Sequence, residues 1–125
     1  MKLAVIESFL LLLYFEVVMR LRTFKTLHED VRKHQVSPNP ALDQISCKQL
    51  CRAVDLACIF YFKQVHCLQR SAATTVLLRN YGWQAEMVIG AQILPPKFHA
   101  WVEIDQEVMN DKPYMLDIYT VLERC

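Results

Sequence analysis

The sequence predicts an α+β fold in which helices come first and a small antiparallel sheet follows. Three observations carry this. Apolar positions recur at helical spacing up to Gly82, residues 84–89 and, after the interruption at Pro95-Pro96, 98–104 then alternate in strand fashion, and Asp105-Gln106 forms a tight turn into a further strand. Helices and strands in separate blocks favour an antiparallel sheet over a parallel one. The chain has 125 residues, 54% of them apolar and only two glycines, which excludes disorder and supports one domain over residues 1–125. A formal charge of +1 argues against a nucleic-acid partner, which normally needs a basic excess. Five cysteines are an odd number, and no cleavable signal pattern precedes them. The expectation is therefore free thiols in a reducing compartment, the cytoplasm.

Residues 2–34 read as helix, with Leu21, Phe24 and Leu27 on one face. The apolar run Phe9 to Phe15 spans only seven residues between Glu7 and Glu16, whereas crossing a bilayer takes about 20. A helix buried in its own core or facing a partner fits better than a membrane-surface helix, and a true span fits worst. Ser37-Pro38-Asn39-Pro40 breaks the helix, because the residue before each proline is pushed out of the helical region. Residues 43–61 form the next helix, with Asp43 as candidate N-cap and Ile45, Val54, Leu56, Ile59 and Phe60 as core candidates. Residues 67–80 form a third, closed by Gly82. Strands are expected over 84–89, 98–104 and 107–110, and 118–122 leans to strand.

Cys67 falls in the first turn of the third helix, where unpaired amides and the positive end of the helix dipole favour a thiolate. His99 lies near the start of a strand. Asp111 lies across the two-residue turn, so hairpin pairing would bring its carboxylate to the imidazole and fix the tautomer. Thiolate, base and orienter from three elements are what a thiol nucleophile requires. Taken singly, a cysteine at a helix start or a histidine in a strand is more often structural. The joint pattern changes that weighting.

The ordered set Cys67-Leu68-Gln69-Arg70-Ser71, Leu77 to Gly82, Val88-Ile89-Gly90, Phe98 to Glu103 and Asn110-Asp111 resembles the leader peptidases of lasso-peptide biosynthesis, over about residues 45–125. These are papain/transglutaminase-like cysteine proteases. The resemblance implies that the small sheet packs on the nucleophile-bearing helix, with 1–40 a helical segment and 41–125 the catalytic core. It implies Cys67, His99 and Asp111 as the catalytic triad and no metal or organic cofactor. It also implies hydrolysis of one bond between leader and core of a precursor peptide. A chain of this length is expected to be the protease half of a split system, acting with a separate leader-recognition protein and a lasso cyclase. One departure stands out: the family usually has glycine in the turn before the third strand, and here the turn is Asp105-Gln106-Glu107. Positive φ without glycine predicts strain there.

Cys47, Cys51 and Cys58 share one helix face, but three ligands on one continuous helix cannot all point at one ion. His66 diverges from Cys67 in direction, and Trp101 fits core packing that shields His99. The Cys67 amide is a better oxyanion donor than Gln64. Glu103 and Asp105 rival Asp111 as orienters but sit on or beside the strand of His99 itself. Acyl transfer to an amine, a non-catalytic scaffold and a membrane-surface accessory protein stay open.

Overall fold

A computed structural model describes residues 2–21, 24–36 and 46–125. The elements run α1 (Lys2–Leu21), α2 (Phe24–Lys33), α3 (Cys47–Phe60), α4 (Cys67–Asn80), β1 (Ala85–Gln92), β2 (Lys97–Ile104), β3 (Glu107–Val108), α5 (Met115–Ile118) and β4 (Thr120–Arg124). The expected α+β class holds, with α4 on one face of an antiparallel sheet ordered β3-β2-β1-β4 and Met115 of α5 on the other.

α4 lies at the centre. It packs on α1, α2 and α3 on one side and on β1 and β2 on the other. Ala72 and Ala73 let its backbone approach the sheet, where Met87, Ile89 and Ala100 meet it. Leu77 and Leu78 join Leu50, Val54 and Val102 in an adjoining cluster. Burying side chains of this size contributes roughly 1.5–3 kcal/mol each. The hydroxyls this position buries are satisfied locally. Thr74 and Thr75 donate to the carbonyls one turn back, at 2.7 and 2.8 Å. The helix ends as its glycine predicts: Gly82 has φ 89°, its N–H reaches the Arg79 carbonyl, and the Trp83 N–H reaches that of Leu78.

Several sequence expectations need correction. Residues 2–34 are two helices that pack on each other, not one, so Leu21 and Leu27 do not share a face. Leu27 is fully buried and Leu21 is 79% exposed. The proline break at 37–40, Asp43 and Ile45 lie outside the described residues. α3 begins at Cys47, four residues later than expected. Ser46 caps it by accepting the Gln49 N–H while the Gln49 side chain accepts that of Ser46, both at 3.2 Å. Its core face is Leu50, Ala53, Val54 and Ala57, whereas Ile59 and Phe60 are each 73% exposed. Helical periodicity turns Ile59 away from that face, whereas Phe60 keeps the spacing of Ala53 and Ala57 but is exposed as the last residue of the helix.

α1 covers only part of its apolar surface. Leu12, Phe15 and Val18 are buried, but Leu3, Ile6, Leu10, Tyr14, Val17 and Leu21 form an exposed stripe. Among the described residues, no helix is long and apolar enough to cross a membrane.

The hairpin turn behaves as expected. Asp105 and Gln106 have φ 51° and 65°, the two positive values a tight turn of this kind demands, here without glycine. The third strand is shorter than predicted, with only Glu107 and Val108 pairing on β2. Residues 118–122 also divide: Ile118 ends a helical turn, and the strand is Thr120–Arg124. That strand forms the far edge of the sheet by pairing with β1, a long-range partner no local pattern reveals.

Candidate active site

Cys67 is the first residue of α4, and its thiol is exposed. The preceding residue, His66, sits extended at the N-cap and places no side chain on the helix amides. The first-turn N–H groups therefore keep their capacity to bind a negative charge.

His99 lies on β2 opposite Gly90 of β1. Its Nε2 is 2.6 Å from Asp111 Oδ2, and both side chains are about one-fifth exposed. With Nε2–H donating to the carboxylate, Nδ1 of the neutral ring carries the lone pair. Two aromatic rings fix the imidazole plane. Tyr119 stacks on it at 5.3 Å between centroids and 24°, and Trp101 lies at 6.1 Å and 27°. Trp101 is fully buried, as the sequence suggested. Cys67 and His99 line one cavity of about 100 Å³, together with Leu68, Ile89, Phe98 and Ala100.

The rival orienters are engaged elsewhere. Glu103 is buried, accepts Trp101 Nε1–H at 2.8 Å and pairs with Arg124. Asp105 faces a different cavity, lined also by Arg32, Arg79 and Arg124. Gln64 and His66 are both exposed.

Asp111 does not sit on the strand predicted for it. The ladder ends at Val108, and Asn110 supplies the reason. Its Oδ1 accepts the Val102 N–H at 2.8 Å, taking the place of a strand carbonyl. Its Nδ2 donates to Ser71 Oγ at 3.3 Å, and its carbonyl accepts from Arg70 at 2.9 Å. Ser71 in turn donates to the Ala100 carbonyl at 3.0 Å, and Arg70 bridges to Asp55 of α3. The loop bearing Asp111 is thereby tied to α4 within one turn of Cys67. Sequence reasoning passed over this role. The only signal was a polar Asn beside the carboxylate, with a Ser and an Arg on the helix starting at Cys67.

Gly90 was also passed over. A Cβ there would lie 2.7 Å from Trp101 Cη2 and 2.8 Å from Tyr119 Cβ, so the glycine allows both rings to close over His99. A glycine inside a strand pattern is the signal for such an approach.

Three other thiols are held in the neutral form by burial. Burial pushes Cys51 up to about 12 and Cys125 to about 11, and raises Cys58. Among the described residues no group of three or more His, Cys, Asp or Glu could hold a metal ion.

With this geometry in view, comparison with known proteins is informative. The family model for the transglutaminase-like superfamily matches residues 11–124. The chain belongs to that superfamily. It is also 34% identical over 70 residues to the microcin J25-processing protein McjB of Escherichia coli. That match covers 54% of this chain and 34% of the relative, so the chain spans about a third of the curated relative's length. No solved structure matches it. The α+β order of the elements, helices and then an antiparallel sheet, is consistent with that superfamily.

Proposed function

We propose that the protein is a cysteine peptidase that removes the leader from a lasso precursor peptide, with Cys67 as nucleophile, His99 as base and Asp111 as orienter. The observation that carries this is the 2.6 Å His99–Asp111 pair beside a cavity that the exposed Cys67 shares. Superfamily membership, the motif resemblance to lasso leader peptidases and the identity to a microcin-processing protein support it.

In this mechanism the Cys67 thiolate adds to the scissile carbonyl. First-turn amides of α4 receive the oxyanion, the term that often dominates such reactions. Imidazolium His99 gives its Nδ1 proton to the leaving amine as the C–N bond breaks, leaving a thioester. Neutral His99 then takes a proton from water, whose oxygen attacks the thioester, and the thiolate departs. Asp111 accepts from Nε2–H throughout and holds Nδ1 toward the sulfur. No step calls for a metal or organic cofactor.

Residues 1–125 act as one unit, with 41–125 the catalytic core and 1–40 a helical support, in the cytoplasm. The unit works with a separate leader-recognition protein, and a lasso cyclase consumes the freed core. Recognition by a partner raises the local substrate concentration, so cleavage should be much faster in its presence. Mass spectrometry of a precursor peptide incubated with the protein, with and without that partner, tests this. Two fragments summing to the precursor plus one water support hydrolysis. A product carrying an added amine instead would show acyl transfer.

A further inference from the structure

Residues 61–66 join the end of α3 to Cys67. They set the direction from which the chain enters α4. His66 is extended at the N-cap, and its carbonyl accepts the first helical N–H, that of Arg70, at 2.9 Å. The amides of Cys67, Leu68 and Gln69 precede that bond and have no partner inside the helix, so they point where the loop aims them.

This loop is fastened to α1. Lys63 Nζ lies 3.0 Å from Glu16 Oε2, and Tyr61 Oη lies 3.4 Å from Glu16 Oε1 and 3.4 Å from the Leu12 carbonyl one turn earlier. The first turn of α4 reaches the same place. Gln69 is fully buried, and its Nε2 donates to the Leu12 carbonyl at 2.7 Å and lies 3.4 Å from Tyr61 Oη. Leu12 and Glu16 therefore take donors from both ends of the loop. Glu16 is buried and the Lys63 side chain is only about a third exposed, so solvent and salt screen their attraction less than that of a surface pair.

We propose that Glu16 is a positioning residue for the nucleophile: through Lys63 and Tyr61 it fixes the loop that aims the first-turn amides of α4 at the oxyanion. The proposal rests on the peptidase reading, in which those amides stabilise the tetrahedral intermediate formed on Cys67. Glu16 does not line the cavity of Cys67 and His99, so it acts only through the loop. The N-terminal helix thereby takes part in the reaction. A displacement of about 1 Å in such donors can cost on the order of 10²-fold in rate.

Two reagents at Cys67 separate aiming from reactivity. p-Nitrophenyl acetate acetylates the thiolate through a tetrahedral oxyanion, forming a thioester and releasing p-nitrophenolate. Iodoacetamide alkylates the thiolate by displacing iodide, and no oxyanion forms. Peptide mass mapping reads both products at Cys67 apart from the other cysteines. Lys63→Met and Glu16→Leu should each slow acetylation about tenfold or more, because losing one oxyanion donor costs about 10²–10³-fold. Alkylation should stay within about twofold of wild type, which also shows that each variant is folded. Lys63→Arg, which can still donate to Glu16, should restore acetylation. Combining Lys63→Met with Glu16→Leu should be no slower than Glu16→Leu alone. Acetylation at the wild-type rate in either variant, acetylation and alkylation falling together, or a Lys63→Arg as slow as Lys63→Met would overturn the positioning role and leave the peptidase reading standing. If wild-type Cys67 is not acetylated at all, the peptidase reading fails, and the positioning role with it.

Discussion

Asn110→Ala separates positioning from chemistry, and its cost follows from the contacts it removes. The substitution deletes the acceptor for the Val102 N–H and the donor to Ser71 Oγ. Val102 is fully buried, so its amide is left without a partner at a cost of about 1–3 kcal/mol. Losing the second bond adds about 0.5–1.5 kcal/mol, although Ser71 keeps its bond to the Ala100 carbonyl. The expected destabilisation is about 1.5–4.5 kcal/mol, below the 5–15 kcal/mol typical of a domain, so the variant should still fold. Urea unfolding measures this term. Cleavage should fall as well, because the loop that seats Asp111 against His99 is released. Since Asn110 acts only through Asp111, repeating the substitution in an Asp111→Asn background should lower activity little further. An equal loss of activity in both backgrounds, or a stability change below about 0.5 kcal/mol, would refute this reasoning.

Three further outcomes are expected. Gly90→Ala drives a methyl against Trp101 and Tyr119, so it should cost about 1–3 kcal/mol in urea unfolding and reduce cleavage by displacing both rings from His99. Iodoacetamide mapping at neutral pH should label exposed Cys67 first, whereas Cys51 and Cys125, held up at about 12 and about 11, should react only as pH approaches those values. Their raised values favour the neutral thiol in the fold, so the stability they contribute is complete below about pH 9 and lost above it. At the acid end, the hydrogen bond from Lys63, joined by Arg20, holds Glu16 below the usual carboxylate range. That contribution is present at neutral pH and lost as pH falls through the lowered value, and Lys63→Met should flatten this acid limb of the stability profile.

Much of the fold was legible because its signals are local. α4 runs from Cys67 to Asn80 as the apolar spacing and Gly82 predict, and β1 and β2 follow from alternation. The turn at Asp105-Gln106 followed from the strands on either side of it. What was missed depends on partners distant in sequence. The Asn110 side chain ends β3 early by capturing an amide eight residues back, which no strand propensity reveals. The last strand was expected over 118–122, and its shift to Thr120–Arg124 follows from pairing on the free edge of β1, which local pattern does not show. Ile59 has core chemistry but falls on the outer side of α3, where periodicity would have placed it, and Phe60 keeps the core spacing yet is exposed where the helix ends. At the candidate site, the meeting of His99 with Asp111 was legible and the seating of the carboxylate was not. His99 and Asp111 meet as hairpin logic suggests, yet the carboxylate arrives from a pinned loop rather than a strand.

The central claim is that Cys67 forms the bond that cuts the precursor. Its direct test is cleavage of a precursor peptide, in the presence of the recognition partner, by wild-type protein and by Cys67→Ala, followed by mass spectrometry. Removing one exposed sulfur at a helix start should leave the fold intact. The expected result is complete loss of leader and core fragments with Cys67→Ala, while Cys47→Ala, Cys51→Ala and Cys58→Ala still cleave. Fragments produced by Cys67→Ala at the wild-type rate would contradict the account.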